Sequence, residues 1–125
     1  DIRELTAGYF AGDEAIRLES GERAHKQQTP VRLSARIILS SSNIGDMILD
    51  PFAGTGTTLI VSEQLQRNSI GVELSPNNVK LIKDRISNKR KSDNISNFRD
   101  DYKYTENLDE IWQAGARVPS LNKFI

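Results

Sequence analysis

A chain of 125 residues has room for one small domain. Its 17 Lys and Arg balance 17 Asp and Glu, which excludes a polycation built to coat nucleic acid. The absence of cysteine excludes disulfides, thiolate metal sites and cysteine nucleophiles, and a single histidine excludes a His-rich metal centre. No apolar run approaches the roughly 18 to 20 residues of a membrane span and no signal peptide opens the sequence, so an intracellular, cytoplasmic protein with no membrane contact is expected.

Residues 1–30 are polar and punctuated by Gly8, Gly12, Gly21 and Pro30, which predicts loop with a turn of helix around Asp13 to Leu18. From Val31 to Ser42 the pattern becomes helical, with Leu33, Ile37 and Ile38 on one face, and Ser41, Ser42, Asn43 and Gly45 stop it. Met47-Ile48-Leu49, ending in Asp50-Pro51, reads as a short buried parallel strand. A glycine loop follows, and Thr57 to Arg67 reads as a helix. Ser69 to Glu73 is a second strand. Ser75 and Pro76 are an N-cap and a first-turn proline, and Val79, Ile82 and Ile86 mark an amphipathic helix to about Asn88. Residues 88–106 read as a solvated linker, and Leu108, Ile111 and Trp112 as a last apolar turn.

These elements divide the chain into an irregular segment over 1–30, a β-α-β-α core over 31–90 and a polar tail over 91–125. The fold class is α/β: the core spells one mononucleotide-binding half of a doubly wound, Rossmann-like sheet.

The chemistry concentrates in Asp50-Pro51-Phe52-Ala53-Gly54-Thr55-Gly56-Thr57-Thr58. A strand ends there and the chain turns sharply into a helix. Two glycines permit unusual dihedrals and close approach of a ligand, and the helix start offers unpaired N–H groups. In a dinucleotide fold those groups face a pyrophosphate. Here a carboxylate sits on the strand end, which repels phosphate and suits a cation such as an α-ammonium. No Lys follows the second glycine, so the loop is not a Walker loop. A ligand with an ammonium, an adenosine and no phosphate fits, and S-adenosylmethionine is the common one. Glu73 lies 23 positions after Asp50 (73 − 50), placed either to accept hydrogen bonds from ribose hydroxyls or to sit solvated at the strand end. Phe52 is open to core packing or ligand contact, and Thr57 and Thr58 to helix capping, binding or both. Lys83, Arg85, Lys89, Arg90 and Lys91 either touch DNA phosphate or end a helix in solvent.

With His25-Lys26-Gln27-Gln28-Thr29-Pro30 ahead of the first helix, the glycine loop, and Gly71-Val72-Glu73-Leu74-Ser75-Pro76 after it, the chain resembles the beta class of DNA adenine-N6/cytosine-N4 methyltransferases over roughly residues 22–88. The first segment keeps His25, Gln28 and Pro30 of the family's His-Pro-x-Gln-Lys-Pro and has Lys26 and Thr29 where the family has Pro and Lys. The resemblance implies a cofactor site for S-adenosylmethionine. Asp50 would bind the methionine amino group, and Thr57 or Thr58 the carboxylate. Pro51, Phe52, Ala53, Gly54 and Gly56 would belong to the pocket wall. Glu73 would hold the ribose, Leu74 and Ser75 would lie near the adenine, and His25 and Gln28 would close the pocket.

The family's catalytic signature, Asp/Asn/Ser-Pro-Pro-aromatic, is absent from these residues, whose prolines at 30, 51, 76 and 119 are all isolated. Residue 1 is Asp rather than Met, and the expected reading is a fragment or split subunit, incomplete without an N-terminal half and inactive alone. The implied function is methyl transfer to the amino group of adenine, which the Gln28-x-Pro30 pattern favours, or of cytosine, in a modification system acting on DNA. Two strands make a poor sheet. A polypeptide carrying the catalytic half, or a second copy of the chain, is therefore expected on the exposed edge. The alternatives are a non-catalytic or regulatory S-adenosylmethionine-binding subunit and a nicotinamide-binding domain, the latter disfavoured by Asp50.

Overall fold

The computed structural model describes residues 14–24, 28–102 and 123–124. Helix α1 spans Val31–Ser41, strand β1 Met47–Asp50, helix α2 Thr57–Gln64, strand β2 Asn68–Gly71 and helix α3 Pro76–Ser87. Two 3-10 segments, Lys91–Asp93 and Ile95–Tyr102, follow, and a short strand β3 covers Lys123–Phe124. The result is a small α/β unit with parallel strands and three helices. β1 pairs with β2 in parallel, Met47 opposite Asn68 and Asp50 opposite Gly71. β2 pairs with β3, also in parallel, so β1 lies at an edge of the order β1-β2-β3 among the described strands. None of the described helices is long and apolar enough to cross a membrane.

α1 is amphipathic, but its buried stripe is Val31, Ser34, Ala35 and Ile38, not the expected Leu33, Ile37 and Ile38 face. The small side chains of Ser34 and Ala35 let α1 lie close on α2, and Ile37 is left 53% exposed. α2 is buried on most of its surface, with Thr57, Leu59, Ile60, Val61 and Ser62 all enclosed. It stops three residues short of the expected Arg67. Gln66 takes a left-handed φ of 61°, and the Arg67 and Gln66 N–H groups return to the Ser62 and Glu63 carbonyls at 2.8 and 3.0 Å. This is a Schellman stop made without glycine. The Arg67 guanidinium then donates to the Ser42 carbonyl at 2.7 Å and the Ser42 Oγ at 3.1 Å, tying the ends of α1 and α2 together.

Two apolar clusters result. Val31, Ala35, Ile38, Val61, Leu65 and Ile95 form one, and Ala53, Leu59 and Ile82, backed by Ile86, form the other. Gly71 makes the second possible: a Cβ there would meet the Leu59 methyls at 2.9 Å.

Two expectations for the flanks are corrected. Residues 14–24 carry no helical turn but a tight reversal closed by an Arg17–Arg23 antiparallel bridge. Its backbone is pinned by the Gln28 side-chain amide, a partner that local periodicity cannot display. The 88–106 linker is not solvated throughout: Asp93 is fully buried and Ile95 is 4% exposed in the first core cluster. The expected apolar turn at Leu108, Ile111 and Trp112 lies outside the described residues, as does His25.

Candidate cofactor site

β1 delivers Asp50 to its C-terminal end, where the chain leaves the sheet. The Asp50 Oδ1 accepts from the Phe52 N–H at 3.0 Å, an Asx-type turn that bends the chain away from the strand. Gly54 at φ 56° and Gly56 at φ 79° then reverse it into α2, and the Gly56 N–H donates to the Ala53 carbonyl at 2.7 Å. Gly56 is obligatory twice over. Its φ is left-handed, and a Cβ would lie 2.8 Å from the Ile82 Cγ2. No side chain caps α2 at Gly56, so its first turn presents backbone N–H groups without intrahelical partners.

The loop is fastened to the end of β2. The Ala53 N–H donates to the Val72 carbonyl and the Val72 N–H to the Asp50 carbonyl, each at 2.9 Å. The Glu73 carboxylate receives the Gly54 N–H at 2.9 Å and the Ser75 N–H at 2.7 Å, so one side chain joins the loop to the start of α3. Ser75 caps α3 by accepting from the Asn78 N–H at 3.4 Å.

A cavity of about 570 Å³ opens beside this loop, within the roughly 300–1,000 Å³ typical of small-molecule sites. Gln28, Asp50, Pro51, Phe52, Ala53, Gly54, Thr55, Thr57, Thr58, Glu73 and Leu74 line it, all within the stretches singled out by sequence, together with Thr29 and Val72, which were given no role. Gly56 and Ser75 are not in its wall; they shape the turn and cap the helix. Gln28 reaches the wall already engaged. Its Nε2 donates to the Glu14 carbonyl at 2.7 Å and its Oε1 accepts from the Ile16 N–H at 2.9 Å. Phe52 is 89% exposed and Leu74 96% exposed, so neither belongs to the protein core. Among the described residues the wall contains two carboxylates and no lysine or arginine.

Behind the loop lies a charged cluster that sequence reasoning missed. Asp93 accepts from Arg85 at 2.7 and 3.1 Å and from Arg90 at 2.9 and 3.1 Å. Arg90 also donates to the Glu14 carbonyl at 2.8 Å, and Glu14 itself accepts from the Val31 N–H at 3.1 Å. Burial pushes the Asp93 carboxyl up, but hydrogen bonds from Arg90 and Arg85 outweigh it and hold the group below 3.8. Burial dominates at Glu14, which is raised above 4.5, and burial lowers Arg85. One signal was available. Arg85 follows Ile82 by three positions, on the very stripe that α3 buries, where an exposed arginine does not belong.

The DNA methylase family profile matches residues 10–84. The chain is 44% identical over 75 residues to the type II methyltransferase M.HinfI of Haemophilus influenzae, covering 60% of this chain and 21% of that protein. It is 46% identical over 76 residues to the type II methyltransferase M.BamHI of Bacillus amyloliquefaciens, covering 61% of this chain and 18% of that protein. The chain thus spans only about a fifth of each relative's length, and the residues matched by the family profile contain the loop, both strand ends and the cavity they enclose. The chain belongs to the DNA methylase family.

Proposed function

We propose that these residues form the S-adenosylmethionine half-site of a DNA methyltransferase that modifies the exocyclic amino group of adenine (N6) or cytosine (N4). On this reading β1-α2-β2-α3 is one half of a doubly wound, Rossmann-like sheet. The observation that carries it is the charge of the cavity wall. Two carboxylates, with no basic side chain among the described lining residues, make poor surroundings for a phosphate and good ones for a cationic, phosphate-free adenosine derivative.

The chain's residues divide the ligand among them. Asp50 commits one oxygen to the Phe52 N–H, and its second oxygen is the partner for the α-ammonium. The first turn of α2, with Thr57 and Thr58, receives the carboxylate. Glu73 holds the ribose hydroxyls while keeping its two backbone donors, since each carboxylate oxygen accepts more than one hydrogen bond. Phe52 and Leu74 supply apolar surface for the adenine, and its burial removes both side chains from water. Gln28 closes the wall beside them, together with His25 from the segment ahead of it. When bound, the cofactor supplies an electrophilic methyl group; the protein's part is to orient it and exclude water.

The catalytic Pro-Pro-aromatic motif and the target-recognition region come from polypeptide outside these residues, which match about a fifth of each relative. DNA is the substrate of the completed enzyme, with the target base flipped out of the helix.

Calorimetric titration of S-adenosylmethionine into the chain tests the reading, with Asp50→Ala and a nicotinamide dinucleotide as controls. Saturable binding is expected, weakened about tenfold or more by Asp50→Ala through loss of one charge-assisted hydrogen bond, with no binding of the dinucleotide. Equal affinity in the variant would remove Asp50 from the site. A folded chain that takes the dinucleotide and not S-adenosylmethionine would overturn the assignment.

A further inference from the structure

Arg85 lies near the end of α3, outside every motif given a role above, and it is 4% exposed. All three of its guanidinium nitrogens are committed. Nε and Nη2 donate to the Asp93 Oδ1 at 3.1 and 2.7 Å. Nη1 donates to the Thr55 carbonyl at 2.9 Å, to the Thr57 Oγ1 at 3.0 Å and to the Thr55 Oγ1 at 3.3 Å. Asp93 is itself fixed by Arg90, so the guanidinium is held from behind while its Nη1 corner grips the loop.

The two threonines it grips flank Gly56, the residue whose left-handed φ turns the loop into α2. A glycine at such a turn has wide conformational freedom, and a loop that must meet a ligand pays for that freedom on binding. Pinning both neighbours to one nitrogen removes it beforehand. The grip also sets a polarity. The Thr57 oxygen accepts from Arg85, so the Thr57 hydroxyl hydrogen is left to be donated elsewhere, and Thr57 lines the cavity.

We infer that Arg85, clamped by Asp93, is a positioning residue for cofactor binding: it preforms the glycine loop through Thr55 and Thr57 and leaves the Thr57 hydroxyl to donate to the ligand's carboxylate. The inference rests on the S-adenosylmethionine reading of the cavity. It places a residue some thirty positions from the loop, and outside the cavity wall, in control of affinity.

Arg85→Lys is the informative variant. It keeps the buried charge, but a single ammonium cannot span Asp93, Thr55 and Thr57 together. Ile95→Ala, a core truncation in the other cluster, serves as a control for lost stability alone. The readouts are amide hydrogen exchange over residues 54–58 in the unliganded chain and calorimetric affinity for S-adenosylmethionine. Arg85→Lys is expected to speed exchange in the loop and to weaken binding, each about tenfold or more, with Ile95→Ala within about twofold of wild type in both. Equal losses in the two variants at matched melting temperature, or wild-type affinity in Arg85→Lys, would overturn the inference. If the wild-type chain takes up no S-adenosylmethionine, the cofactor reading falls, and the exchange data still decide whether Arg85 holds the loop. Asp93→Asn, which keeps the shape and withdraws the charge, carries the same comparison should the lysine variant not fold.

Discussion

Asp93 has no exposed surface and binds two arginines, one of them equally buried. Removing the carboxylate strands a guanidinium in the interior, and breaking a buried pair in this way costs about 3–5 kcal/mol. Asp93→Ala should therefore lower the unfolding free energy by an amount of that order, measured by urea denaturation followed by circular dichroism. The same carboxylate gives the chain a defined acid response. Its folded pKa lies below 3.8, so its contribution is complete above that value and is lost as pH falls through the folded pKa. Glu14 works in the opposite sense. Its folded pKa lies above 4.5, so the folded state holds the proton more tightly, and stability rises as pH falls from neutrality through the folded value towards 4.5. Urea titrations across this range should show a mildly acidic maximum. Glu14→Gln should flatten its neutral flank and Asp93→Asn its acid flank.

Among the elements, the turn into α2 is the least forgiving. Gly56→Ala forces an L residue into a left-handed φ and drives a methyl into Ile82, so it should cost well over the about 1–2 kcal/mol of the backbone term alone. A thermal melt that moves by less than a few degrees would contradict this placement of Ile82. The elements that position the cavity were legible in the sequence because each carries a local physical signal. Asp50-Pro51 ends a strand, two glycines make a turn, and Ser75-Pro76 starts a helix that the Ser75 side chain caps by accepting from the Asn78 N–H. The charged cluster was not legible. Arg85 and Asp93 meet across the end of α3 through side chains alone, and a composition rich in Lys, Arg and Ser from 87 to 96 resembles a solvated linker whether or not one aspartate turns inward. The α1 face was misread for a related reason. Apolar periodicity favoured Leu33 and Ile37, whereas close helix packing selected the small Ser34 and Ala35.

Taken whole, the described residues leave apolar side chains uncovered along one edge of the sheet. Met47 is 54% and Leu49 63% exposed on the edge strand β1, and Ile44 beside it is 43% exposed. An apolar edge strand of this kind invites pairing with another polypeptide. Sedimentation velocity over a range of concentrations should show reversible association of the isolated chain, reduced by Leu49→Lys, which leaves the cavity wall untouched. A chain that stays monomeric at high concentration would argue that a second copy does not dock there.

The bond from Arg90 to the Glu14 carbonyl joins residues 76 positions apart and closes the charged cluster around both flanks of the loop. Contacts of such long sequence separation form late, because loop closure must come first. During synthesis β1, β2 and the glycine turn are made before Arg85, Arg90 and Asp93, the residues that close the cluster behind the loop.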